Sequence, residues 1–250
     1  MSQDGRLSDK VAIVTGAGDR GQVMGIGYAI AILFAREGAK VLLADMDLNN
    51  AEKTLTVIES EGGEASIFEV NVTEEEACRA MGDAAVERYG ELDILVNNVG
   101  TGGAGMVTEV EEDIWNRSLD INLKSAVLCS KYAVPAMVQS GGGSIIHISS
   151  IDGIRSGSSR NVPYAAAKGG LISLTKCMAV HHGRDGIRTN CIAPGHVHAS
   201  FVTRVSERQR DLRCRAGPLG VEGNAWDVAW PAVFLASDEG KMGIWRCVTG

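Results

Sequence analysis

At 250 residues, 45% of them hydrophobic, the chain is long enough to bury one sizeable core. A formal net charge of −7 and scattered Lys and Arg argue against a general nucleic-acid-binding surface. No apolar run approaches the roughly 18 residues of a membrane span, and the six cysteines show no C-x-x-C spacing. The thiols read as reduced and mostly buried. The opening MSQDGRLSDK is polar and lacks the apolar core of a signal peptide, so the expected location is the cytoplasm.

Short β-rich runs alternate with longer helical patterns. Strands are predicted at Val11–Thr15, Lys40–Ala44, Ser66–Val70, Ile94–Asn97, Ser144–Ile148 and Arg188–Ile192. Helices are predicted at Gly25–Glu37, Asn49–Glu61, Glu74–Tyr89, Asp113–Gln139 and Val162–His182. This rhythm implies an α/β fold: a doubly wound parallel sheet of Rossmann type, in a single domain over residues 1–250. Ligands in such folds bind beyond the carboxyl ends of the strands, so the residues just after each strand carry the information.

After the first strand, VAIVTGAGDRGQVMGIGYAIAILFAREGA places five glycines between Thr15 and Tyr28. Gly16, Gly18 and Gly21 make a literal G-x-G-x-x-G; Gly16, Gly25 and Gly27 make the competing reading. Ile26, Ala29, Ile30, Leu33 and Phe34 share one helical face. A helix begun after Gly21 would carry Gly25 and Gly27 inside it, at about 1 kcal/mol each relative to Ala. The helix therefore starts at Gly25–Gly27, where free N–H groups and the positive dipole end suit a pyrophosphate.

This turn resembles that of the short-chain dehydrogenase/reductase family, T-G-x-x-x-G-x-G, with eight residues between Gly16 and Gly25 where the pattern has three. The resemblance implies that Gly16, Gly25, Ile26 and Gly27 contact the cofactor. After the second strand, Asp45 can accept both adenosine-ribose hydroxyls and repel a 2′-phosphate, which favours NAD over NADP. Arg20, in the inserted loop, is the alternative sign, because a guanidinium can neutralise that phosphate. Asn71 and Val72 stand where the family has Asp-Val at the adenine edge. LVNNVG resembles the family's N-N-A-G: Asn97 would tie the central strands, while Asn98 and Gly100 approach the cofactor.

The chemistry falls in SIIHISSIDGIRSGSSRNVPYAAAKGG. Tyr164 and Lys168 are spaced i, i+4 and share a helix face. A nearby ammonium is expected to stabilise the phenolate and lower the tyrosine pKa from about 10. Tyr164 then exchanges a proton with an alcohol or carbonyl. By resemblance, Lys168 also binds the nicotinamide ribose, and Ser150 holds the substrate oxygen, with Ser149 the alternative because the spacing to Tyr164 is one residue long. Asn122 in DINLKSA matches the asparagine that interrupts a long helix in the family and holds a proton-relay water.

IRTNCIAPGHVHAS resembles the family's last cofactor segment. Pro194 and Gly195 would turn over the nicotinamide and the Val197 backbone would meet its carboxamide; Ala199 replaces the usual Thr, with Ser200 beside it. Residues 199–220 form the expected substrate loop. Its Arg204, Arg208, Arg210, Arg213 and Arg215 select an anionic substrate or form a solvated helix face. His196 and His198 lack companion ligands at metal spacing, so no metal is expected. At the chain end, Ile244–Val248 forms a makeshift final strand or that strand is absent.

The resemblance runs from about Lys10 to Glu239. It implies an NAD-dependent alcohol dehydrogenase or ketone reductase acting on a small molecule, without membrane or nucleic-acid partners, as a homotetramer or homodimer. The alternatives are an NADPH-dependent 3-oxoacyl-thioester reductase and a catalytically idle nucleotide-binding scaffold.

Overall fold

The computed structural model describes residues 5–155, 160–200, 206–217, 219–243 and 246–249. Arg204 and Ile244 lie outside the described residues. The strands are Val11–Thr15 (β1), Lys40–Asp45 (β2), Ala65–Glu69 (β3), Ile94–Asn97 (β4), Gly143–Ile148 (β5), Ile187–Ala193 (β6), Val197–His198 (β7), Gly223–Asn224 (β8) and Cys247–Thr249 (β9). The helices are Ile26–Arg36 (α1), Leu48–Ser60 (α2), Glu75–Tyr89 (α3), Glu112–Leu119 (α4), Ser125–Gln139 (α5), Val162–His182 (α6), Glu207–Ala216 (α7) and Ala225–Ala236 (α8).

Seven strands make one parallel sheet in the order β3-β2-β1-β4-β5-β6-β9, and β7 pairs with β8 apart from it. The central strands are continuous apolar runs because helices cover both faces, and every residue of β1 is buried. One core layer packs α1 and α8 on the sheet; the other packs α3, α5 and α6. The order reverses between β1 and β4, which opens a crevice at their carboxyl ends.

α1 begins at Ile26 with Gly25 as its cap, so the second glycine reading holds. Its buried surface is wider than the single face expected. Ala29 to Ala35 are all buried, because the helix is sandwiched between the sheet and α8.

The helix predicted over 113–139 is three pieces, interrupted at Asn122 as the family resemblance implies. A π-helical stretch, Asp120–Lys124, separates α4 from α5. The cause is local competition for carbonyls: Asn122 Nδ2 donates to Ser118 O at 2.9 Å, and Ser125 Oγ to Ile121 O at 2.7 Å.

α7 is the helix-face alternative for the arginine segment, α8 is not among the predicted helices, and both carry a legible start signal. Ser206 and Gln209 form a capping box on α7, and Asn224 and Asp227 on α8. The final strand exists, shorter than expected: Cys247, Val248 and Thr249 pair with Cys191, Ile192 and Ala193. Arg188 braces this edge by donating to the carbonyls of Leu235, Ala236, Ser237 and Gly240, which end α8.

Candidate active site

A cavity of 990 Å³ opens at the crevice. Gly16, Gly25, Ile26 and Gly27 line it from the β1–α1 loop, and Asn98 and Gly100 from the end of β4. Ser150, Tyr164 and Lys168 line it from β5 and α6; Pro194, Gly195 and Val197 close it beyond β6.

The phosphate end is a cradle of backbone. Gly25 makes no side-chain cap and the first turn of α1 holds no acidic residue, so its N–H groups are available to an anion. Gly16 sits at φ 65°, which favours glycine. A Cβ on Gly27 would lie 2.1 Å from the Gly16 carbonyl oxygen. Asn98 fixes the cradle from β4, donating through Nδ2 to Thr15 O at 3.0 Å and Gly16 O at 3.2 Å. These features fit a dinucleotide pyrophosphate.

The inserted residues fold back over the first turn of α2. Asp19 N donates to Asn50 O at 2.9 Å, and Lys53 Nζ to Asp19 O at 3.3 Å. Arg20 joins the cavity wall. At the far end of the loop, Met24 O accepts from Ser200 N at 3.2 Å, which joins it to the start of the 199–220 segment.

The adenosine end departs from expectation. Asp45 is 6% exposed and lies behind Gly18, accepting from Gly18 N at 2.8 Å and Asp47 N at 3.1 Å. Asn71 is turned to its own helix start, accepting from Thr73 and donating to Glu74; Val72 is buried in the core. None of the three lines the cavity. The loop insertion covers Asp45, and local Asx bonding holds Asn71.

At the reactive end, Tyr164 and Lys168 share the α6 face that looks onto the end of β5. Tyr164 hydrogen-bonds Ser150. The two serines differ in bonding: Ser149 Oγ donates to Lys168 O at 2.8 Å, and Ser150 is the one that meets the tyrosine. Lys168 is 3% exposed, its Nζ donates to Ile148 O at 2.8 Å, and it lies 5.7 Å from the Tyr164 ring centroid.

The expected fall in the tyrosine pKa is not found. Burial pushes the Tyr164 phenol up; the Ser150 bond lowers it and the Asp152 carboxylate raises it further. Lys168 is instead the group brought down, to about 8, by burial. The lysine sits under the ring and bonds a backbone carbonyl rather than the phenol.

Asn122 stands behind the cavity, not in its wall. Its side chain is engaged by backbone: Oδ1 accepts from Thr101 N at 3.1 Å, and Nδ2 donates to Thr101 O and Ser118 O, each at 2.9 Å. Asn97 does tie the central strands, meeting His147 Nδ1 at 3.2 Å and Ser130 Oγ at 3.3 Å. The other ring nitrogen, Nε2, is buried and has no hydrogen-bond partner among the described residues. Burial lowers the His147 pKa to about 3, and the Lys168 charge adds to this.

Beyond β6, Val197 has both backbone groups engaged: its N–H donates to Gly195 O and its C=O accepts from Arg213. His196 Nδ1 lies 2.7 Å from Arg213 O. No cluster of three or more His, Cys, Asp or Glu that could hold a metal occurs among the described residues. Of the four described arginines, Arg210 and Arg213 pair with Glu222, Arg215 pairs with Asp211, and Arg208 is exposed. Gln209, Leu212, Arg213 and Ala216, one face of α7, reach the cavity.

A family model described as enoyl-(acyl carrier protein) reductase matches residues 21–244. A crystal structure from Burkholderia xenovorans, described as a short-chain dehydrogenase/reductase, superposes with a TM-score of 0.94 at 38% identity, covering 98% of this chain and 96% of that one. A 3-oxoacyl-acyl-carrier-protein reductase of Thermotoga maritima is 34% identical over 94% of this chain and 93% of its own. A cyclohexanol dehydrogenase of Acinetobacter sp. is 33% identical over 95% and 91%. The chain belongs to the short-chain dehydrogenase/reductase family. It is thus an oxidoreductase of a family that binds a nicotinamide dinucleotide. Among the described residues, no helix is long and apolar enough to cross a membrane.

Two outcomes follow from the site's packing. Gly27→Ala forces a Cβ into the Gly16 carbonyl and is expected to cost about 1–3 kcal/mol in urea unfolding. Gly25→Val places its Cβ 3.2 Å from Ser200 Oγ and 3.9 Å from Gly18 O and Tyr28 Cβ, with no backbone clash. It should keep the unfolding midpoint and lose dinucleotide binding by calorimetry.

A further outcome concerns pH. His147 stays neutral in the folded chain down to about pH 3 and protonates near 6.5 when exposed. The unfolded state therefore binds more protons inside that window, so stability falls as pH drops through it. His147→Gln should flatten that acid limb in urea titrations across the same pH range; an unchanged slope would locate the proton uptake elsewhere.

Proposed function

We propose that this oxidoreductase interconverts a secondary alcohol and a ketone, with NAD as its preferred dinucleotide. The observation that carries the reading is the Ser150–Tyr164 hydrogen bond at the cavity wall, with the Lys168 ammonium beneath the ring. The glycine cradle and Asn98 would hold the pyrophosphate. The bound nicotinamide supplies the hydride acceptor or donor.

Ser150 Oγ holds the substrate oxygen within reach of the Tyr164 hydroxyl. Tyr164 gives that oxygen a proton in the reductive direction and removes one in the oxidative direction. With the phenol held protonated by burial, the group is set to donate at neutral pH. Asn122 keeps the Thr101 loop against the helix, so the cavity wall opposite Tyr164 stays in place.

Asp45 supports the NAD preference. It lies behind Gly18 rather than in the cavity wall, so its support is electrostatic: a carboxylate at the end of β2 opposes a 2′-phosphate. Arg20 in the cavity wall favours a second reading, an NADPH-dependent 3-oxoacyl-thioester reductase; the Thermotoga relative is named a 3-oxoacyl-acyl-carrier-protein reductase. Exposed Trp230 and Phe234, one turn apart on α8, support a self-associated protein, a homotetramer or homodimer.

Tyr164→Phe is expected to keep dinucleotide affinity and lose at least about 10²-fold in kcat on a secondary-alcohol panel, the scale of general acid–base catalysis. Near-normal turnover would mean that another group moves the proton. The cofactor claim is checked by kcat/KM with NAD and NADP in the wild type, Asp45→Ala and Arg20→Ala. Wild-type preference for NADP, abolished in Arg20→Ala, would replace the first reading by the second.

A further inference from the structure

We infer that Asp152 selects substrates with a hydroxyl on the carbon beside the carbinol: vicinal diols, ahead of simple alcohols and 2-hydroxy acids. The inference rests on the alcohol–ketone reading above and concerns the same cavity.

Asp152 lies two residues beyond Ser150 and lines the cavity with Ser150 and Tyr164. Its position is fixed on both sides. Its backbone N–H donates to Ser150 Oγ at 3.1 Å, and its Oδ2 accepts from Asn161 Nδ2 at 2.7 Å. Asn161 is itself held by a bridge to Gly105, reinforced by Val162 N donating to Gly105 O at 3.1 Å. The serine that holds the reacting oxygen and the carboxylate beside it are thus clamped in one turn.

The charges at this end of the cavity leave Asp152 distinct. Arg160 faces Glu109 at 3.4 Å, and Arg213 faces Glu222 at 3.3 Å. Lys168 is turned under the Tyr164 ring and donates to a backbone carbonyl. Among the described residues no cation pairs with Asp152, and its Oδ1 has no protein donor. The field of this carboxylate reaches the phenol of Tyr164.

A carboxylate oxygen fixed beside the reacting centre asks for a donor from the substrate. A neighbouring hydroxyl supplies one; a simple alcohol strands the acceptor as water leaves. A substrate carboxylate at the same place sets like charges together. Arg160 and Arg213, which might have offset it, already face carboxylates of their own.

Initial rates with 2-butanol, 2,3-butanediol and 2-hydroxybutanoate, each with NAD and with NADP, test this. The diol should exceed 2-butanol by at least about tenfold in kcat/KM, with the hydroxy acid slowest. Asp152→Ala should bring diol and simple alcohol within about threefold of each other. Asp152→Asn keeps an oxygen for Asn161 and offers an amide N–H to the substrate. It should raise the hydroxy acid by about tenfold over wild type, an outcome that loss of folding cannot mimic.

Equal turnover of diol and simple alcohol by the wild type overturns the selection and leaves the alcohol–ketone reading standing. So does a diol preference unchanged in Asp152→Ala. Turnover of none of the three with either dinucleotide overturns the reading itself, and the inference with it.

Discussion

An ammonium group carried inside the fold is the constraint on which this site depends. Burying such a charge costs several kcal/mol unless hydrogen bonds and packing offset it. Lys168 meets that demand with the Ile148 carbonyl at the open end of β5. Its neighbours lock the arrangement. Ser149 bonds the Lys168 carbonyl, and the turn at Ile151–Gly153 presses so close that a Cβ on Gly153 would lie 2.6 Å from the Lys168 carbonyl carbon. Gly100 gives room on the other side, where a Cβ would approach Asn122 Oδ1 at 3.0 Å and Lys168 Nζ at 3.3 Å. The end of β5, the start of α6, the Thr101 loop and the π-helical stretch are thus mutually fixed around one nitrogen.

The same economy of backbone contacts explains how the long glycine loop is tolerated. Lengthening a surface loop is inexpensive, roughly 0.6 kcal/mol for each doubling. Here the extra residues also gain anchors on α2 and on Ser200. The cradle keeps its shape because Gly16 and Gly27 pack on each other and on Asn98, none of which belongs to the insertion. What changes is the ground over Asp45, now roofed by Gly18.

Much of this was legible in the residues. The start of α1 follows from the cost of two glycines inside a helix, and the sheet from unbroken apolar runs. The pairing of Tyr164 with Lys168 follows from i, i+4 spacing. The rest depends on distance and burial that a linear pattern does not carry. The π-helical stretch arises from Asn122 finding the Ser118 carbonyl, a competition that apolar periodicity does not register. The sign of the Tyr164 shift turned on depth: an ammonium four residues away lowers a phenol only when it faces the oxygen, and this one faces the ring. Asn71 had a local partner in Glu74 that a family pattern ignores. Asp152 and Asn161 belong to the spacing between two motifs, where no periodicity points at them.

The short last strand has a consequence for how the molecule is made. β6 carries the turn that closes the reactive end of the cavity, and among the described residues the strand on its outer edge is the three-residue Cys247–Thr249. Those residues follow the other described strands and helices in chain order. Until they pair, β6 presents unpaired backbone donors and acceptors, the kind of edge that recruits other chains. Parallel pairing between segments so far apart in sequence is slow to form, so the interval is not brief. The chain's vulnerability while it folds is concentrated beside its candidate active centre, and the pairing of three residues is what ends it.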